Sequence, residues 1–156
     1  MAISIVAYNN IQQRARDSIR TNDISNITKA LALYRTEYNG YPMSHGPGGS
    51  GGWEISNNLA AGRTFMQNLT QASGSKMPVD PTNSGAYRYE YTLTGASWAF
   101  PNGCTMGEDF YVLRVTYGSA GNSNIPSGTP AASCSGSNGW VSTATVKYIG
   151  PSHALK

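Results

Sequence analysis

The sequence predicts an α+β fold: a long N-terminal helix packed on one face of an antiparallel sheet of about four strands. Three observations carry this. No Gly or Pro interrupts residues 3–39. Within that run Ile24, Ile27, Leu31, Tyr34 and Tyr38 recur at intervals of 3, 4, 3 and 4, which places them on one helical stripe. From Tyr87 onward the apolar period changes to two, the period of a half-buried strand.

The 156 residues amount to one domain. Residues 1–39 form the helix, 40–85 connect helix to sheet, and 86–150 form the sheet with its loops. Charged residues make up 12% of the chain, about half the usual share, and Gly, Ser, Thr and Asn take their place. Neutral polar solvation of this kind suits a secreted protein. The net charge of +3 is compatible with DNA but does not argue for it.

The helix begins in an apolar run, Met1 to Tyr8, too short to span a bilayer and without the basic start of a signal peptide. It reads as the end of a longer apolar helix whose beginning is absent, the alternative being an ordinary helix start at a native Met. Ile11 and Ala15 lie on a weaker upstream stripe beside Gln12, Gln13, Arg14 and Arg16, so this half calls for neighbouring chains. Asn39-Gly40 is the stop, with Gly40 free to take the left-handed conformation. Tyr41-Pro42 then prevents continuation.

Residues 45–52 form a glycine-rich loop without the Lys-Ser/Thr of a phosphate loop. A weaker helix signal follows, best at 63–71, with Phe65, Met66 and Leu69 as its apolar side and Gly74 as its end. Met77 to Pro81 is extended by its prolines. Tyr87, Tyr89, Tyr91 and Leu93 alternate with Arg88, Glu90, Thr92 and Thr94. Ala96 to Phe100 is a candidate return strand, Phe110 to Tyr117 the strongest strand, and Trp140 to Ile149 the last. The predicted helix–sheet core is Ile24, Ile27, Leu31, Tyr34, Tyr38, Tyr87, Tyr89 and Tyr91.

Cys104 and Cys134 stand 30 positions apart in the Gly-rich second half, without CxxC or His neighbours. A disulfide stapling the 118–139 loop fits better than two unrelated buried thiols. Such a bridge contributes about 3.5–4 kcal/mol by loop closure and points to an oxidising compartment.

Ile5 to Arg16 (IVAYNNIQQRAR), Ala30 to Pro42 (ALALYRTEYNGYP) and Met77 to Gly85 (MPVDPTNSG) with the Tyr strand after it resemble type IV pilins and the major pseudopilins of type II secretion. The order and spacing run through about 90 residues. Beyond Gly95 the likeness is to architecture alone. The resemblance implies a non-enzymatic filament subunit, anchored in the membrane before assembly and displayed at the cell surface afterwards. Its partners would be other pilin subunits and the inner-membrane assembly machinery, reached through the absent apolar segment. Ile5, Tyr8, Ile11, Arg14 and Arg16 would lie at the filament interface. The family's early Glu has no counterpart here. The calcium site of many major pseudopilins cannot be mapped onto this chain: Glu108 and Asp109 are the only adjacent acids in the second half, too few for a site, so no cofactor is assigned.

Other chemistry finds little support. His45 and His153 sit in a Gly-rich loop and a tail, poor places for catalysis. Asp80, between two prolines, reads as a turn-fixing residue that bonds nearby backbone amides. Tyr87, Tyr89 and Tyr91 could stack nucleic-acid bases, but they share a face with Leu93, which favours core. Arg14, Arg16 and Arg20 read as a basic patch offset by Asp17 and Asp23. The alternatives to a pilus are a secretion pseudopilin and a minor pilin that takes up DNA or attaches to a host surface.

Overall fold

A computed structural model describes residues 3–46, 49–50, 52–94, 110–118 and 145–150, with side chains for 8–46, 52–93 and 111–118. Helix α1 runs Ile3–Tyr38. Two-residue strands β1 (His45–Gly46), β2 (Gly49–Ser50) and β3 (Glu54–Ile55) follow, then helix α2 (Gln67–Ser73) and strands β4 (Glu90–Thr94), β5 (Phe110–Thr116) and β6 (Thr145–Gly150). β1 and β2 form a small hairpin within the glycine-rich loop. The main sheet is antiparallel in the order β3-β4-β5-β6, three full strands with the short β3 at one edge. The α+β class with a long N-terminal helix is therefore correct.

The stripe that α1 buries is set one turn or more upstream of the predicted one. Asp17, Arg20, Ile24, Ile27 and Leu31 are all fully buried, at intervals of 3, 4, 3 and 4. Tyr34 is half-buried against the core. Tyr38 is not core: it is 53% exposed and stacks on Tyr34 with ring centroids 4.4 Å apart. One further turn of helix carries Tyr38 beyond the apolar surface that receives Leu31. Between residues 8 and 16 no side chain is buried.

The helix ends at a left-handed residue, but that residue is Asn39 (φ 53) and not Gly40. Asn is the non-glycine residue that visits this region most readily, because its short amide can bond locally. Pro42 is buried beyond it, and its carbonyl accepts the Tyr91 hydroxyl at 2.6 Å. This contact fixes the chain's path as it leaves the helix.

Helix α2 starts at Gln67, four residues later than the periodicity suggested. Met66 stands in the left-handed region (φ 51), which breaks the helix there. Phe65, Met66 and Leu69 nevertheless join the core, and Gly74 (φ 67) closes α2.

The sheet meets α1 through Tyr91 opposite Leu113 and Leu93 opposite Tyr111. Tyr91, Tyr111, Leu113 and Val115 are buried there. Tyr89 is fully buried as well, but it precedes the strand, which begins at Glu90 and not at Tyr87. Tyr87 instead closes a tight turn, exchanging backbone hydrogen bonds with Ser84 at 3.0 and 3.1 Å around Gly85 (φ 58). It is only half-buried.

The opposite face of the sheet is also buried, contrary to the half-buried alternation expected of β4. Glu90, Thr92 and Val112 are 4%, 7% and 0% exposed. Glu90 is tolerated because two arginines neutralise it, Arg88 at 2.7 Å and Arg114 at 2.6 Å, with Arg114 stacked under Trp53. The cysteines, the 96–100 strand, residues 119–139 of the long loop and the tail lie outside the described residues.

These placements separate two residues of the predicted stripe. Ile27→Ala is expected to destabilise the fold by about 3 kcal/mol, read as a lower urea midpoint. Tyr38→Ala should leave that midpoint essentially unchanged. Equal losses for the two variants would contradict the burial described here.

Candidate functional site

Helix α1 presents two faces with different chemistry. The inner face opens with charge and continues with hydrocarbon. Arg20 reaches across to the 77–85 segment and grips Asp80 with both arms of its guanidinium: Nε donates to Oδ2 at 2.7 Å and Nη2 to Oδ1 at 3.1 Å. Nη1 donates to Asp17 Oδ1 at 2.7 Å, and Nη2 also reaches the Thr82 hydroxyl at 3.2 Å. The Tyr87 ring covers the guanidinium at 4.9 Å. All three charged side chains are fully buried. Arg20 is thus no part of a surface basic patch.

Burial works against the Arg20 charge, but hydrogen bonds and Coulomb attraction from Asp80 and Asp17 outweigh it and raise the Arg20 pKa. Asp17 Oδ1 accepts two more bonds, from the Gly118 backbone N–H at 3.1 Å and the Gln13 amide at 3.4 Å. The end of β5 is thereby pinned to the helix at the point where the long loop departs. Asp80 fills the turn role expected of it, accepting from the N–H groups of Thr82 (2.8 Å) and Asn83 (3.2 Å). Its grip on Arg20 goes beyond that turn role. A signal did exist: Asp17 and Arg20 are in phase with Ile24, Ile27 and Leu31, so the stripe itself points both charges inward.

Asp23 accepts the Tyr89 hydroxyl at 2.8 Å. Burial pushes the Asp23 carboxyl up, the Tyr89 bond opposes this, and repulsion from Asp80 adds to it. Another buried carboxylate, Glu54, holds the connecting region. Its Oε1 accepts the Met66 N–H at 2.6 Å and its Oε2 the His45 N–H at 3.2 Å. The first bond secures the left-handed Met66, a conformation that costs energy for a non-glycine residue. Burial raises the Glu54 pKa, against the opposing pull of the His45 and Met66 backbone N–H groups and of Coulomb attraction from the His45 and Arg63 side chains.

The outer face of α1 is a stripe of residues left exposed among the described residues. Tyr8 is 61% exposed, Ile11 66%, Ile19 48% and Leu33 72%. With Ala15 they fall within an arc of about 80° at 100° per residue. Arg14 and Arg16, both exposed, lie about 60° beyond its two edges. Of the residues expected at a filament interface, Tyr8, Ile11, Arg14 and Arg16 are therefore all on the surface; Ile5 is in the helix, and its side chain lies outside the described set.

Between α1 and α2 a shallow cleft of about 290 Å³ is lined by Tyr34, Tyr38, Asn68, Gln71 and Ala72. It holds no carboxylate, histidine or cysteine. Among the described residues no group of three or more His, Cys, Asp or Glu could hold a metal ion, and no helix is long and apolar enough to cross a membrane. No family model matches the chain, and neither a curated protein nor a solved structure does.

Two outcomes follow from the buried charges. Arg20→Met leaves Asp17 and Asp80 buried without their cation and is expected to destabilise the fold by about 3–5 kcal/mol; a loss below about 1 kcal/mol in urea unfolding would show that water enters freely. Glu54 has a folded pKa above its unfolded value of about 4.3. Its contribution to stability is fully present below that value and is lost as pH rises through the raised one. The stability deficit of Glu54→Gln relative to the parent should therefore shrink as pH rises from about 4 towards neutrality. A deficit that grows over that range would contradict the assigned shift.

Proposed function

We propose that this chain is a structural subunit of an extracellular filament of the type IV pilus kind, assembled through α1. The observation that carries the reading is the outer face of that helix. Tyr8, Ile11, Ile19 and Leu33 share that face with Asn22, Asn26 and Lys29, and Ile11, Ile19 and Leu33 would each be stabilised by burial against a neighbour. The first half of α1 adds to this, since no side chain between residues 8 and 16 is buried. A helix end with that exposure is costly to maintain alone and is stabilised by packing on other helices.

The α+β arrangement, the YNGYP helix stop and the Asp80 turn agree with a pilin-like fold, and the motif likeness to type IV pilins and major pseudopilins supplies the kind of assembly. In that arrangement α1 helices bundle in the fibre centre and the sheet faces outward. The 118–139 loop, stapled by a Cys104–Cys134 disulfide, forms the exterior. The net charge of +3 and the neutral polar composition suit such an exposed position.

Electron microscopy of cells with and without the gene tests the reading. The expected result is the loss of surface filaments on deletion and their return on complementation. Filaments unchanged by deletion would overturn it. Loss of protein secretion with filaments unaffected would move the chain to a secretion pseudopilus.

A further inference from the structure

Charge on the outer face of α1 is sorted along its length. Both carboxylates ahead of Glu37 turn towards the body of the fold, Asp17 to Arg20 and Gly118, Asp23 to Tyr89. The exposed charges left ahead of Glu37 are Arg14, Arg16 and Lys29, all cations. Glu37 is exposed, and among the described residues it is the one exposed carboxylate. It lies in the same arc as Ile11, Ala15 and Leu33. The outer face thus has two arginines flanking it near one end, Asn22, Asn26 and Lys29 along its middle, a carboxylate near the other end, and apolar residues at both ends.

A face of this kind is complementary to itself only when shifted. Two copies packed side by side in register would set Arg14 and Arg16 against the same residues, a repulsive arrangement. Displacement by 22 residues changes every pairing: Ile11 comes level with Leu33 of the next copy, and Ala15 with Glu37. Arg14 and Arg16 then bracket that Glu37 from either side, while the small Ala15 lets the helices approach closely. Lys29 falls level with Ala7, clear of both arginines. Twenty-two residues are about six turns, so the stripe stays close to phase.

We infer that α1 packs against α1 of a second copy, parallel and displaced by about six turns or about 33 Å, with Arg14 and Arg16 of one copy holding Glu37 of the next. This rests on the filament reading, because a displaced, head-to-tail contact is the kind that propagates. An antiparallel pair could also bring the opposite charges together, but it closes at two copies.

Charge reversal in cells carrying the gene tests the contact. Glu37→Arg alone, and Arg14→Glu with Arg16→Glu, should each reduce surface filaments by about tenfold or more, and the three changes together should restore most of them. All three residues are exposed, so the purified variants should keep the parent's thermal midpoint, which separates lost assembly from lost folding. Filaments at parental level in both reversals, or a combined variant no better than the worse reversal, would overturn the contact. So would a closed dimer of the purified protein, in analytical ultracentrifugation, that each reversal disperses and the combination restores, since that assigns the charges to an antiparallel pair. If unmutated cells show no filaments dependent on the gene, the filament reading fails first and this contact with it.

Discussion

The two-armed grip of Arg20 on Asp80 decides how the rest of the chain sits on its helix. The residues are 60 positions apart, and the contact ties α1 to the segment that delivers the chain into the sheet. Asp17 completes the pair from one turn upstream and also takes the Gly118 N–H, so one buried cation indirectly holds the end of β5. An ion pair in such a place adds little net stability over hydrocarbon of the same shape, because desolvation offsets most of the attraction. Its effect lies in specificity. A hydrophobic stripe can slide by a turn at small cost, whereas a guanidinium bonded to four oxygens on three side chains accepts one register.

Glu54 plays a comparable part in the connecting region. It binds two backbone N–H groups, one from the two-residue hairpin strand at His45 and one from the entry to α2 at Met66. Long connections rich in Gly and Ser lose much entropy on ordering. A buried acceptor that satisfies two donors at once is an economical way to define such a path. Together with Asp17, Asp80 and Glu90, it places four carboxylates inside the fold.

That use of acids inside the domain has a consequence outside it. The surface of α1 ahead of Glu37 is left with cations alone, and the net charge of +3 understates how basic that surface is. The inner and outer faces of one helix are therefore linked: carboxylates spent on the Arg20 and Tyr89 contacts are not available to balance Arg14 and Arg16. Packing, charge and exposure along α1 describe one division of labour: one side serves folding, and the other, exposed among the described residues, carries its charge as cations ahead of Glu37.

The helix from Ile3, its stop near Asn39, the apolar residues of α2 and the strands around Leu93 and Leu113 were legible in the sequence, because periodicity and turn chemistry are local. The turn role of Asp80 was legible for the same reason. The tertiary structure alone decided which stretch of α1 is buried. Tyr38 continues the stripe in sequence but overshoots the sheet, and Arg20 enters it because Asp80 waits 60 residues away. It also decided that Tyr87 closes a turn over Arg20, that Glu90 lies buried between two arginines, and that Met66 delays α2 while bound to Glu54. In each case at least one determining partner lies well away in the chain, as Asp80 does for Arg20, Arg114 for Glu90 and Glu54 for Met66, and no local pattern contains it.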